Sequence, residues 1–320
     1  MISMNERAYK IAHQLAAAAE PLNIFVEKLG SGAMVIDAGV NVTGSLEAGR
    51  LFSEVCLSGL GKVDFCTLEF GKFSLPSISV MVSHPVEACM ASQYAGWSLE
   101  IPIEGEKAYR AMGSGPARVL YGKEVLLQEL GVTDVADMAV LAIESHKLPG
   151  DEVASWIAAK CGVSPERVIL LVAPTASLVG SVQVAARVVE TGLHKMVELG
   201  FDIRDILSGF GVCPIAPIAK DDLRAIGRTN DAVLYGGRAW YTAKTDPDKI
   251  EAIIEKLSSS ASRDYGTPFY ELFRRYDYDF YKIDPLLFSP AEVFINELSS
   301  GRTFHAGRVN PDMLQRSLLS

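Results

Sequence analysis

The sequence holds few of the residues from which disulfide frameworks, metal sites and membrane spans are built. Its five cysteines (Cys56, Cys66, Cys89, Cys161 and Cys213) are odd in number and include no CxxC pair. That disfavours a disulfide scaffold or a thiolate zinc site and fits buried core thiols in a reducing cytoplasm. The five histidines (His13, His84, His146, His194 and His305) show no HxH or HExxH spacing, so metal ligation through histidine is not expected. Lysine and arginine are scattered singly in a chain of net charge −9. Without a basic stripe to neutralise phosphates, nucleic acid is excluded as a partner class. The longest apolar run, 168–189, is interrupted by Pro174, Thr175, Ser177, Ser181, Gln183 and Arg187, whereas a spanning helix needs roughly 20 mostly apolar residues. Residues 1–7 lead into an alanine-rich amphipathic helix, not a cationic region followed by an apolar one, so neither a membrane segment nor a secretory signal is expected. GxSxG, the P-loop and the GxGxxG spacing are also missing.

The 320 residues, 49% of them apolar and 22% charged, suffice for a sizeable core and two domains. The first part reads as a helix over 5–19, strands over 23–28 and 33–38 around a Gly-Ser-Gly turn, and a helix over 46–57 closed by glycines. Alternating residues over 63–70 and 77–82 predict half-buried antiparallel strands. Pro85 starts a short helix to about residue 95. The middle has another rhythm: an apolar strand over 137–143, a helix over 151–161, a second apolar strand over 168–173, and a long helix over 178–199. Strand, helix, strand, helix with fully apolar strands is the pattern of a parallel sheet buried on both faces. Strands over 232–234 and 238–242 and a helix over 247–257 follow. The expected fold class is mixed α/β in two domains. Residues 1–110 together with 240–320 form the first, and 111–239 form the second around a parallel βαβα core.

On the long helix Gln183, Arg187, Glu190 and His194 are spaced four, three and four apart, so they form one polar strip on an otherwise apolar cylinder. Read alone, Arg187 and Glu190 are either an exposed i, i+3 ion pair of little energetic weight or a carboxylate with an orienting guanidinium facing a pocket. The helix entry, 173–181, follows an apolar parallel strand, at whose carboxyl end open α/β sheets bind ligands. Thr175 and Ser177 there are helix caps, ligand contacts or both. Gly113-Ser114-Gly115-Pro116-Ala117-Arg118 reads either as a plain turn or as a loop whose amides and guanidinium meet an anion.

Longer stretches resemble one family. APTASLVGSVQVAARVVETG (173–192), VIDAGVN (35–41), LEAGR (46–50), ASQYAGW (91–97), MGSGPAR (112–118), GRTNDAVLYGGR (227–238) and DFYKID (279–284) are similar, in the same order, to segments of methenyltetrahydromethanopterin cyclohydrolases. The resemblance implies a cytoplasmic enzyme of one-carbon metabolism in methanogenesis or methylotrophy. It would hydrolyse the methenyl cation of a tetrahydromethanopterin to the N5-formyl compound with water and no metal or redox cofactor. It implies further a homotrimer, and two α/β domains with the active-site pocket between them. Arg187 and Glu190 match the family's catalytic pair. An ionised Glu190, its charge supported by Arg187, suits a cationic substrate. Gln93, Gly113, Ser114, Gly115, Arg118, Thr175, Ser177, Gln183, Asn230, Tyr235 and Lys282 are the candidate substrate contacts, with Arg118 and the 113–115 loop assigned to the anionic tail. A pterin carrier without catalysis, and a cyclohydrolase acting on tetrahydrofolate, are the competing readings.

Overall fold

A computed structural model of the chain describes residues 3–279 and 282–319. The first two residues of the N-terminal stretch, and Phe280 and Tyr281 of the 279–284 motif, lie outside the described residues. The fold is mixed α/β and divides into two compact units. One takes the chain up to Gly61 and Val86–Gln183, and the other takes Lys62–Pro85 and the chain from Val184 onward. This differs from the expected grouping of 1–110 with 240–320. Alternation over 63–82 announces strands but not the sheet that receives them.

The first unit is a six-stranded sheet in the order β1-β2-β8-β7-β6-β5. Hairpin β1 (Phe25–Lys28) and β2 (Met34–Asp37) is antiparallel. β2, β8 (Val168–Ala173) and β7 (Ala139–Glu144) run parallel. β6 (Tyr109–Ser114) and β5 (Trp97–Ile101), which the hydrophobic pattern did not announce, close it antiparallel. β8 is apolar throughout, and β2 and β7 are apolar up to the carboxylates that end them, Asp37 and Glu144, because both faces are covered. Helix α5 (Asp151–Cys161) packs its Val153 and Ile157 against Leu141, Ile143, Leu170 and Val172. Helices α1 (Met4–Ala17) and α2 (Leu46–Cys56) cover the opposite face through Leu15, Phe52 and Val55 against Ile36, Val140 and Leu171. The helix expected after Pro85 is a π-helix, Val86–Gln93, widened so that the Tyr94 amide donates to the Cys89 carbonyl five residues back. Two short helices, α3 (Ala117–Tyr121) and α4 (Val125–Leu130), follow β6.

The helix expected over 178–199 is two helices, α6 (Leu178–Ala185) and α7 (Val188–Glu198). At the break the Arg187 amide donates to the Val184 carbonyl three residues back, a tightened turn of 3₁₀ type. The chain crosses from the first unit to the second within this segment.

The second unit is also a six-stranded sheet, in the order β12-β11-β10-β9-β4-β3. Hairpin β3 (Gly61–Phe70) and β4 (Phe73–Val82) turns at Gly71, whose φ of +69° favours glycine. β9 (Ile206–Pro214) and β10 (Arg238–Ala243) follow, and β11 (Glu292–Glu297) pairs parallel to β10. β12 (Thr303–Gly307) is the edge strand. The strand expected over 232–234 is instead the end of helix α8 (Asp222–Gly236), which starts where the Asp221 carboxylate accepts the Arg224 amide. Helices α9 (Pro247–Leu257), α10 (Phe269–Arg275) and α11 (Pro311–Leu318) complete the unit. Among the described residues no helix is long and apolar enough to cross a membrane.

Candidate active site

Glycines on β9 bring α7 down onto the second sheet. A Cβ on Gly209 would stand 2.6 Å from Val189, and one on Gly211 2.7 Å from Val188. The bare strand therefore receives the two valines that open the helix. Tyr241 of β10 donates its hydroxyl to the Val189 carbonyl at 2.8 Å, which fixes the first turn of α7 at the residue before Glu190.

On that turn the Arg187 Nη1 lies 3.8 Å from Glu190 Oε2. The Arg187 and Glu190 side chains are only 15% and 7% exposed, which removes the exposed-pair reading. The Arg187 carbonyl accepts both the Thr191 amide and the Thr191 hydroxyl, each at 2.8 Å, so the backbone under the guanidinium is held as well. Gln183 is buried at the end of the first unit. His194, half-buried, is 3.7 Å from Glu198. The break between α6 and α7 falls within the expected strip, after Gln183 and before Glu190 and His194.

At the carboxyl end of the parallel strands in the first unit, Thr175 and Ser177 are buried in the turn between β8 and α6. Ser177 Oγ donates to the Pro174 carbonyl and accepts the Gly180 amide, a capping role. Thr175 donates its hydroxyl to the carboxylate of Glu144, the last residue of β7. Glu144 was not anticipated from the sequence. The signal for it was a carboxylate directly after an apolar parallel strand, where such sheets bind ligands.

The 113–118 segment does not form an anion cradle. Arg118 is fully buried. Its Nε and Nη2 engage Glu124, and its Nη1 reaches the Ala91 and Ser92 carbonyls at 3.1 Å each. The ring of Tyr94 lies 5.3 Å from the guanidinium carbon. A guanidinium with its charge and donors so engaged is not available to a ligand tail. The Gly115 amide donates to the Ser92 carbonyl and Ser114 Oγ to the Gln93 carbonyl. Gly113 lies against Leu141 and the Trp97 carbonyl, and Gln93 itself is buried. Arg118, Gly115, Ser114 and Gln93 thus tie the π-helix to β6 and α3.

In the second unit Tyr235 is buried, its hydroxyl donating to the Thr267 carbonyl and accepting the Gly266 amide. The Asn230 side-chain amide donates to the Ile226 carbonyl of its own helix. Lys282 is exposed beside Asp277 and Asp279. Two buried ionisable groups in this unit were not anticipated either. Burial pushes the Asp231 carboxyl up to about 7 against the hydrogen bonds from Ser317 and the Phe269 amide. Burial pushes the Lys195 ammonium down to about 8, partly offset by Asp284.

Four cysteines are buried and Cys66 is half-buried. Burial pushes the Cys161 thiol up to about 12 and the Cys213 thiol higher, as expected of unreactive core thiols. Among the described residues no group of three His, Cys, Asp or Glu side chains is arranged to hold a metal ion.

A family model described as Cyclohydrolase (MCH) matches residues 3–318. Proteins named methenyltetrahydromethanopterin cyclohydrolase are similar over nearly the full length. The one from Methanocaldococcus jannaschii is 47% identical over 323 residues, covering 99% of this chain and 98% of its own. That from Methanothermobacter marburgensis is 47% identical over 322 residues, covering 99% of each. That from Methanococcus vannielii is 48% identical over 324 residues, covering 99% and 98%. The chain belongs to the cyclohydrolase (MCH) family. It is a cyclohydrolase, an enzyme of the hydrolase class.

Proposed function

We propose that the protein hydrolyses the N5,N10-methenyl cation of tetrahydromethanopterin to the N5-formyl compound, with Glu190 as general base and then acid and Arg187 as its orienting partner. The observation that carries this reading is the Arg187–Glu190 pair itself, almost wholly buried on a helix turn that the structure takes care to fix. Burying a carboxylate and a guanidinium costs several kcal/mol per ion, a cost that an exposed i, i+3 pair does not carry.

The chemistry follows from the charge of the substrate. The bridging carbon of an amidinium-like cation is the electrophile, and a carboxylate beside it stabilises the bound cation. Water adds its oxygen to that carbon while Glu190 takes one of its protons. The C–N10 bond then breaks with its electron pair going to N10, Glu190 returns the proton there, and the carbinol O–H loses its proton as the formyl carbonyl forms. One proton is released overall. Neither electron transfer nor a Lewis acid is required by this route, so the reaction is proposed to run without metal or redox cofactor.

The same reading places the enzyme in the cytoplasm as a homotrimer. One face of the second sheet carries a cross-strand row of Met81, Phe210, Trp240, Phe294 and His305, in which Met81 is 54% and Phe210 41% exposed. An apolar row of this kind supports burial against other copies of the chain.

The test is a spectrophotometric assay following loss of methenyl absorbance with the tetrahydromethanopterin and tetrahydrofolate compounds side by side. Turnover that favours the methanopterin form is the expected result. Binding without turnover would indicate a carrier, and preference for the folate would overturn the substrate.

A further inference from the structure

The first sheet has a topological switch point, and a carboxylate sits in it. From β7 the chain passes to α5, which covers the face presenting Leu141, Ile143, Leu170 and Val172. From the adjacent parallel strand β8 it passes to α6, whose Val179 packs on the opposite face with Val140, Ile169 and Leu171. Neighbouring parallel strands whose connections leave to opposite faces open a crevice at their carboxyl ends, which is where open α/β sheets bind ligands. Glu144 ends β7 opposite Ala173, the last residue of β8. Thr175, two residues further on, donates its hydroxyl to Glu144 Oε1. Glu144 is half-buried, and among the described residues no cation pairs with it and Thr175 supplies its one hydrogen bond. A partly desolvated carboxylate without a counter-charge is costly unless something else supplies donors.

We infer that Glu144, held by Thr175, is a specificity-determining residue that binds the 2-amino and N3–H edge of the pterin ring. This rests on the pterin reading of the substrate. Of the three parts of that substrate, the anionic tail would be repelled by a lone carboxylate. The cationic one-carbon bridge is the part assigned to Glu190. The remaining part, the pyrimidinone edge, presents two adjacent coplanar N–H donors, and the two oxygens of one carboxylate accept such a pair together. Thr175 occupies one lone pair of Oε1 and fixes the carboxylate, leaving acceptor sites on both oxygens. Met112, the register partner of Glu144 on β6 and 40% exposed, offers a polarisable thioether beside the flat ring.

The experiment compares the whole protein and its Glu144→Gln variant on methenyltetrahydromethanopterin and on an analogue lacking the 2-amino group, by turnover and by equilibrium binding. Glu144→Gln keeps the shape and a carbonyl acceptor for Thr175 but places a donor against the substrate's donors. The expected result is a KM raised roughly ten- to a hundredfold for the natural ring with kcat changed less than about threefold. For the analogue the two proteins should differ by less than about threefold. Thr175→Val should raise KM less, with Thr175→Ser restoring it. An unchanged KM, a kcat loss at constant KM, or equal losses on both ligands would overturn the assignment. Should Glu144→Gln fail to fold, the wild-type protein still decides: equal affinity for the two ligands overturns it. Wild-type protein that binds the methenyl compound without hydrolysing it would overturn the reaction and leave the binding comparison to decide on Glu144. Protein that does neither would overturn both.

Discussion

Arg187 and Glu190 face each other at 3.8 Å across the first turn of α7, directly after the break that separates it from α6. Arg187 is the N-cap residue of α7, so the pair is set by the break and not by a long uniform helix. Glu190→Gln retains the volume and loses the proton acceptor. Its kcat is expected to fall about 10²- to 10⁴-fold while KM changes little. Arg187→Ala should be comparably severe, because it leaves a buried carboxylate without its counter-charge. Steady-state kinetics on the methenyl compound measure both. Near-normal kcat in either variant would return that residue to a structural role.

Gly192, two residues after Glu190, is where α7 meets β10. A Cβ there would stand 2.1 Å from the Tyr241 hydroxyl, the group that donates to the Val189 carbonyl. Gly192→Ala must therefore move either the tyrosine or the helix, and overpacking of this sort costs about 1–3 kcal/mol. Because α7 carries Glu190, kcat should fall together with the urea midpoint. Adding Tyr241→Phe, which removes the clashing oxygen, should recover part of both. A double variant no better than the single one would show that the contact is not the cause.

The sequence was most legible where one local rule decides. The apolar run over 168–173 matches β8, the 151–161 helix matches α5 to the residue, and the 247–257 helix matches α9. It was least legible where long-range packing decides. Ala185, Ala186 and Arg187 are all good helix formers, so nothing local announces the break between α6 and α7. Ala232-Val233-Leu234 is as apolar as a strand, but the cap at Asp221 and the contacts with α10 and α11 make it helix. At the site, the spacing of Arg187 and Glu190 could be read while their burial could not. The 113–118 glycines and arginine have the composition of an anion loop. Only Glu124 and the 91–92 carbonyls, brought in by the fold, show that the arginine is already engaged.

Arg118 thus belongs to stability, not to substrate affinity. Arg118→Met should lose about 3–5 kcal/mol, the usual cost of removing one partner from a buried ion pair. Arg118→Lys should rescue little, because one ammonium cannot serve both Glu124 oxygens and the π-helix carbonyls at once. Denaturant unfolding measures the loss, and the fraction that remains folded should retain a near-wild-type KM. A KM rise of tenfold or more at unchanged stability would instead place the guanidinium in contact with ligand.

Asp231 and Lys195 are expected to shape the pH dependence of stability from opposite sides. Burial raises the Asp231 carboxyl from 3.8 to about 7, so between those values the folded protein binds more protons than the unfolded chain. Stability therefore falls as pH rises through that window. Burial lowers the Lys195 ammonium from 10.5 to about 8, so between about 8 and 10.5 the unfolded chain binds more protons and stability rises with pH. Both penalties are felt together near pH 7–8, each with a limiting slope of roughly 1.4 kcal/mol per pH unit. Asp231→Asn keeps an acceptor for the Phe269 amide and should flatten the acid-side fall, giving greater stability than wild type at pH 8 and no advantage at pH 4. Lys195→Met gives up a hydrogen bond to the Leu286 carbonyl but should flatten the alkaline rise. Denaturant unfolding of the three proteins from pH 4 to 10.5 checks both. Slopes unchanged from wild type in either window would mean that the group named for it is not the one that titrates there.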